Sequence, residues 1–396
     1  MAQVSGTEYV YSDTSDATSG ARRRVIEDVI YSQDPIELPL RDYFGGYEKF
    51  KAKGIKFEIV EQNHPAIAST IATANTGWNT GSDKTGLSVA DGDVFMVGDI
   101  ILTANGEVCI VSDVDESGNT VDVYARGDLG STESNANSDG DAIYIIGNAQ
   151  LEGYTYGSDV RWTTRTTKAN YTQIFHDTLS VSKSYQEMSL NGVLAGIKDE
   201  VKNQLKQKTL RLAKLLERNS LYGGANTGTL EGSSSAPRTM SGIIAPGTGT
   251  IDIQTNTQDL SSADITESVI NTQCQNIYDN GGKPDTILVN SNNKKLISDF
   301  MSPYRRADFD DKKYGGVVST YENDFGLMSI VLNRYQLKSD IIILPKKNFQ
   351  FACLRPFKII DLPDNEDSYR QEIVGEYSVH FVNEEHSAHI YNTSTS

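Results

Sequence analysis

The residue types able to do chemistry are few, and their spacing serves it poorly. Asp113, Asp115, Ser117 and Gly118 reproduce the first half of a calcium loop, D-x-D-x-S-G, in which oxygens at alternate positions converge on a hard cation. The twelfth position is Tyr124, where a bidentate glutamate is needed, so the better reading is a hairpin turn between VCIVS and TVDVYA. His380, His386 and His389 gather near Glu384 and Glu385, and imidazole with carboxylate suits a zinc-type centre. In EYSVHFV, however, alternation puts His380 on the face opposite Tyr377, Val379 and Phe381, which favours polar sheet-edge residues over metal ligands. His64 precedes Pro65 in a polar segment, and His176 follows Ile174 and Phe175 in a strand-like run; neither has a serine or cysteine partner at short range. PGTGTID holds Gly247 and Gly249 but lacks the third glycine of a dinucleotide loop. No G-x-S-x-G elbow, phosphate-binding G-x-x-x-x-G-K-S/T loop or H-E-x-x-H pair occurs. Cys109, Cys274 and Cys353 are far apart and odd in number, and read as small buried hydrophobes. No catalytic, cofactor or metal residue is therefore assigned, and the chain is read as a non-enzyme.

One stretch carries charge of the opposite sign to the chain. Over 396 residues the formal net charge is -17, which argues against nucleic-acid binding by the surface as a whole. Residues 193–224, VLAGIKDEVKNQLKQKTLRLAKLLERNSLYGG, nevertheless carry Lys198, Lys202, Lys206, Lys208, Arg211, Lys214 and Arg218. Leu194, Ile197, Val201, Leu205, Thr209, Leu212 and Leu216 step by three or four, predicting a helix over 193–219 with one apolar stripe, stopped by Gly223 and Gly224. A coiled coil and a DNA grip compete with a third reading, a long helix packed on a sheet. The stripe favours the sheet, since exposed lysines more often make a solvated face.

The elements that would position these residues follow from turn and periodicity signals. Residues 1–20 are polar; ARRRVIEDVIYSQ has helical spacing; Pro35 and Pro39 predict an extended segment, DPIELPLRDYFGG, with little core of its own. Residues 87–147 read as short strands cut by DG, NG and SGN turns, a small all-β module. RWTTRTTKANYTQIFHDTLSVSKS suits strands, and GGANTGTLEGSSSAPRTMSG a boundary or long loop. Residues 261–301 predict an α/β unit: a serine-capped helix with Ile265, Val269, Ile270 and Ile277, a buried strand DTILVN, and a second helix capped by Ser291. After the mixed-charge loop SPYRRADFDDKKYGG come VVSTY and LMSIVLNRY about an ENDFG turn, DIIILP and FQFACLRPF as a further pair, then EIVGEYSVHFVN and HIYN. No apolar run is long enough to span a bilayer and no leader opens the chain, so the chain is read as soluble, not membrane-bound and not marked for secretion.

The order of these segments resembles the major capsid (head) proteins of tailed bacteriophages, specifically the branch of the HK97-like (Hong Kong 97) fold whose extended loop carries a β insertion. The resemblance runs from RRRVIEDVIYSQDPIELPL, through VADGDVFMVGDIILTANGEVCIVSDVDESGNTVDVYARGDLGST and DGDAIYIIGNA, to FGLMSIVLNRYQLKSDIIILP and LRPFKIIDLPDNEDSYRQEIVGEYSVHFVNEEHSAHI, about 350 residues. In the approach to the long helix VSKS, with Lys183, stands where the family has a VSGT-like step. The resemblance implies an α+β fold with a spine helix on a β-sheet and an α/β axial domain. Its map is an N-terminal arm (1–45), an extended loop with insertion (46–165), a peripheral domain with the spine helix (166–229), an axial domain (230–335) and closing strands (336–396). It implies pentamers and hexamers tiling an icosahedral shell around packaged double-stranded DNA, held non-specifically. Portal and scaffold or cementing proteins would be partners; the chain would reside in the virion after assembly in the host bacterial cytoplasm. Arg305, Arg306, Asp310, Asp311, Lys312 and Lys313 become candidate subunit contacts. Lys206 and Lys208 become candidate lumen-facing cations, or partners of a neighbour's acidic loops. Some relatives crosslink chains through a Lys–Asn isopeptide bond, for which Lys84, read as lying in a flexible loop, is the residue to consider. A tail or decoration protein, a DNA-binding protein and a hydrolase remain the alternatives.

Overall fold

The computed structural model describes residues 37–62, 66–74, 84–128, 138–150, 152–153, 165–184, 200–224, 230–245, 251–300, 320–363 and 367–394. The chain runs α1 (Pro39–Phe44), β1 (Phe50–Lys51), β2 (Lys56–Gln62), β3 (Ala68–Thr70), β4 (Lys84–Ser88), β5 (Asp99–Thr103), β6 (Glu107–Asp115), β7 (Thr120–Asp128) and β8 (Ala142–Asn148). It continues with β9 (Arg165–Tyr171), β10 (Gln173–Ser182), α2 (Glu200–Tyr222), β11 (Thr257–Asp259), α3 (Glu267–Asp279), β12 (Thr286–Val289) and α4 (Ser291–Phe300). It closes with β13 (Thr320–Asn323), β14 (Gly326–Leu332), β15 (Ile341–Leu344), β16 (Phe349–Asp361), β17 (Ser368–Phe381) and β18 (Ala388–Tyr391). Two compact units result, Ile59–Lys168 and the remainder; β2 and β9 form a two-stranded sheet of their own.

The first unit is the expected all-β module. Its six-stranded sheet has the order β3-β8-β5-β6-β7-β4, so it takes in β3 and the start of β4, upstream of residue 87. Ile101, Cys109, Val111, Val121, Val123 and Ile143 alternate onto one face and close with Ile71, Leu87, Val89, Val94 and Phe95 into a core. Lys84 opens β4 opposite Val123, so its backbone is in a strand ladder where a flexible loop was expected. The calcium-like motif is the β6–β7 turn: Asp115 Oδ1 accepts from Ser117 Oγ at 2.7 Å and from Gly118 N at 3.0 Å. These bonds hold the Asp115 carboxyl below the usual carboxylate range.

The second unit contains two sheets. One has the order β1-β16-β17-β10; the other, β11-β18-β15-β12-β14-β13, is mixed, with β12 parallel to β14 and antiparallel to β15. Every residue of β12 and β15 is buried, which is why both read as unbroken apolar runs. Their inward side chains meet Ile270, Cys274 and Ile277 of α3 and Ile297 of α4 in one core. DIIILP and FQFACLRPF, expected as a pair, lie in different sheets: β15 bonds to β12 and β18, β16 to β1 and β17. The three residues Lys346–Asn348 between them form a 3-10 turn rather than a hairpin. Helix α3 is capped by Thr266, whose side chain accepts from Val269 N, in place of the expected serine. Ser291 is the first residue of α4 rather than its cap; Lys294 N already bonds to Asn290 O.

The segment after Pro35 departs most from expectation. Pro39 does not extend it but opens α1, where a missing N–H and a fixed φ fit the first helical position. Gly45, at φ +96°, ends the helix after six residues by donating to Arg41 O. Leu38, Leu40 and Phe44 are buried, and the Phe44 ring packs 4.6 Å from that of Phe349, so this segment belongs to a core. The helix expected over 21–33 and residues Leu194, Ile197, His64, Gly247 and Gly249 lie outside the described residues.

Candidate functional site

Helix α2 lies on the β10–β17 face of its sheet, as its stripe predicted. Val201 packs with Leu179 and Val181, with Leu205 and Tyr369 at the margin. Further along, Leu212 and Leu216 are fully enclosed. The helix continues one turn beyond residue 219, to Tyr222, before Gly223.

Its last turn is closed from outside. Gly242 N, Ile243 N and Ile244 N donate to the carbonyls of Gly223, Ser220 and Leu221 at 2.8, 3.0 and 2.7 Å. Part of the Gly/Ser/Thr-rich run is thus a packed strap, with Met240, Ser241 and Ile243 buried, that satisfies helix carbonyls otherwise left open. A Cβ on Gly242 would stand 2.6 Å from both Gly223 N and Leu221 O, atoms that cannot turn aside. Gly242→Ala is expected to cost about 2 kcal/mol by overpacking, read as a lowered urea midpoint at unchanged slope.

Buried polar groups tie the strap, the sheet and α1 together. Asn170 is fully satisfied: Nδ2 donates to Ser241 O and Val379 O at 3.1 and 2.7 Å, and Oδ1 accepts from Ser241 N and Tyr171 N, each at 2.8 Å. Glu376 of β17, almost wholly buried, accepts from Thr172 Oγ1 at 2.7 Å, from Arg355 Nε at 3.0 Å and from Arg238 of the strap. Glu217 sits on the buried side of α2, where Oε1 accepts from Arg41 N at 3.0 Å. A carboxylate from the long helix thus caps the N-terminus of α1, whose own N-cap residue, Leu38, cannot. Burial pushes the Glu217 carboxyl up to about 7, against the backbone N–H groups of Arg41 and Leu40.

The candidate cations of the helix differ in their surroundings. Lys208 points to the sheet, its ammonium 2.7 Å from Asp177 Oδ1, and Arg211 reaches the other oxygen at 3.3 Å. Lys206 is half-buried on the opposite flank. Arg305, Arg306, Asp310, Asp311, Lys312 and Lys313 lie outside the described residues.

His380 and His389 are packing residues of their sheets. His380 stacks on Phe50 at 4.2 Å, and burial lowers its pKa. His389 is buried 3.9 Å from Asp340, and burial lowers its pKa also. Glu384 spends its carboxylate on Gln254 N, Thr255 N and Thr255 Oγ1. Among the described residues no group of three His, Cys, Asp or Glu could hold a metal ion, and no helix is long and apolar enough to cross a membrane. Cys109, Cys274 and Cys353 are buried free thiols.

Glu217, Glu376, Asn170 and Arg238 were not singled out from sequence, and Glu384 was considered only as a metal ligand, not as the acceptor that holds Gln254 and Thr255. The one available signal was position: Glu217 follows Leu216 at the flank of the apolar stripe, with Ala213 and Ser220 three or four residues away.

One unit thus holds a long helix laid on a sheet together with an α/β layer, and the other an all-β module. The capsid asymmetric unit of cyanophage A-1(L) superposes with a TM-score of 0.55 at 10% identity, over 94% of this chain and 98% of that one. A structure from Mycobacterium phage Bobi matches at 0.45 and 8% identity, over 95% and 96%. No curated protein sequence matches the chain. The model of the SU10 major capsid protein family matches residues 4–394, and the chain belongs to that family. It is a shell-forming structural protein of a bacteriophage.

Proposed function

We propose that copies of this chain form pentamers and hexamers that tile an icosahedral shell around packaged double-stranded DNA, as the virion's major head protein made in the host bacterial cytoplasm. The observation that carries the reading is the capsid-family match over residues 4–394, across both compact units. The helix–sheet platform supports it: Glu217, Asn170 and Glu376 lock α1, the strap and the sheet into one stiff body, which a tile sharing load with neighbours requires. Under this reading the arm expected over 1–45 ends where Leu38–Phe44 enter the core, 46–165 are an extended loop carrying the β insertion, 166–229 and 336–396 the peripheral and closing elements, and 230–335 the axial domain. Portal and scaffold or cementing proteins complete the assembly. Arg305, Arg306, Asp310, Asp311, Lys312 and Lys313 serve contacts between neighbours. Lys206 is the stronger lumen-facing candidate, since Lys208 is already held by Asp177.

Negative-stain electron microscopy of the purified protein tests the reading. Uniform capsomers or closed shells are expected; persistent monomers across the concentration range would overturn it. Assembly of Arg305→Ala/Arg306→Ala tests the loop, and capsomers indistinguishable from wild type would remove it from the interface.

A further inference from the structure

Tyr222, Asp340 and His389 meet where the end of the long helix reaches the second sheet. Tyr222 is the last residue of α2, Asp340 stands immediately before β15, and His389 lies in β18 beside that strand. Tyr222 Oη donates to Asp340 Oδ2 at 2.9 Å and accepts from Leu337 N at 2.8 Å. Asp340 Oδ1 accepts from Ser339 Oγ at 3.0 Å. The backbone carbonyl of Asp340 takes Gln336 Nε2 and Asn293 Nδ2 at 2.9 and 3.1 Å, so the main chain is pinned and a change of partner falls to the carboxylate.

His389 is the odd member. Its Nε2 is buried with no hydrogen-bond partner among the described residues, 3.9 Å from Asp340 Oδ2. A neutral ring tolerates this, whereas an imidazolium, with both nitrogens donating, must find an acceptor. Burial holds the imidazole below its ordinary value of 6.5, so the ring is neutral near pH 7. Asp340 is the anion that acts on it. The other titratable or charged groups at the joint are Tyr222, Arg218, which acts on Tyr222 from the exposed side of α2, and Tyr391, whose ring lies 5.4 Å away. Thr257 and Ile342, its partners on β11 and β15, carry no charge. A charge-assisted bond of about 2.8 Å requires Asp340 Oδ2 and the imidazolium to close by about 1 Å. His389 is held in its strand, with its backbone N–H 2.9 Å from Asn256 O, so the carboxylate is the group that moves.

We infer that these three residues form a proton-operated latch: Asp340 holds the end of α2 through Tyr222 while His389 is neutral, and turns to His389 and releases Tyr222 when the imidazole takes a proton. Stability contributed by the neutral ring is full above pH 6.5 and falls as pH drops from 6.5 to the folded-state value, where the ring itself charges and the latch opens. The latch lies within one chain and does not depend on assembly.

Two exchange measurements on full-length protein test it, both read by mass spectrometry. Exchange at the imidazole C–H across pH gives the proton affinity of His389. Tyr222→Phe, which leaves Asp340 to the histidine, is expected to raise that affinity about tenfold. Amide exchange, corrected for intrinsic rate, is expected to show residues 219–222 and 337–340 losing about tenfold in protection between about pH 7.5 and pH 5 in wild type, and no loss in His389→Gln. Glu217 titrates over an overlapping range, and comparison with His389→Gln removes its contribution. An affinity unmoved by Tyr222→Phe overturns the exchange of partners. Equal loss of protection in wild type and His389→Gln overturns the latch. Either readout decides alone if the other variant does not fold.

Discussion

Replacing Glu376 by alanine is expected to lower the unfolding free energy of the second unit by about 3 kcal/mol, at the lower end of the cost of breaking a buried ion pair. The carboxylate is 4% exposed and joins three segments distant in sequence: Thr172 at the β9–β10 junction, Arg238 of the strap and Arg355 of β16. Alanine leaves the Arg238 side chain, 19% exposed, without its anion. Arg355 is half-exposed and rehydrates, which is why the lower end of the range applies. Glu376→Gln keeps an acceptor for Thr172 and one arginine and should cost less than half as much. Urea unfolding of the three proteins checks the order; equal midpoints for wild type and Glu376→Ala would show that the cluster is not holding the strap.

Stability is also expected to fall between pH 4.5 and 7 because of Glu217 alone. The folded-state pKa of about 7 lies above the ordinary 4.5, and burial is its main cause. Below pH 4.5 both folded and unfolded chains carry the proton and there is no penalty. As pH rises, the unfolded chain releases it first, so the folded state loses relative stability until its own carboxyl ionises near pH 7. Above that the deficit is constant, roughly 3 kcal/mol. The proton has a place to sit, since Oε2 is buried with no hydrogen-bond partner while Oε1 caps α1. Glu217→Gln retains a carbonyl acceptor for the α1 N–H groups and cannot ionise. The variant should match wild type near pH 4.5 and exceed it at pH 8, with the difference read from urea midpoints. A difference that does not change with pH would exclude titration of Glu217 in this window. Hydrogen exchange in residues 39–45 should report the same shift locally, because the cap holds that helix.

Together the two carboxylates show how an acidic chain stiffens a structural tile. Neither touches a substrate; each is buried where a backbone or guanidinium donor would otherwise lack a partner. The long helix supplies one, the sheet beneath it the other, and the strap over the helix C-terminus links them.

Local pattern was enough for most elements. The stripe Val201, Leu205, Leu212 and Leu216 predicted a helix on a sheet, and that is where α2 lies. Alternation predicted the strands of the β module, SGN its β6–β7 turn, and the short run DTILVN a buried strand. These signals survive folding because a period of 2 or 3.6 residues is written within a few positions of itself. The capsid architecture was legible as well, through the order of segments rather than any single motif. Only the tertiary structure decided the rest. A six-residue helix at Pro39 is too short for a period to show, and it persists because Phe44 finds Phe349 and Glu217 finds Arg41 N, 176 residues away. The separation of β15 and β16 into two sheets depends on partners elsewhere in the chain. The lysines looked alike in sequence, yet Lys208 is held by Asp177 because strand β10 passes beneath it. Burial of a charge and the distance to its counter-ion are properties of packing, and no spacing along the chain encodes them.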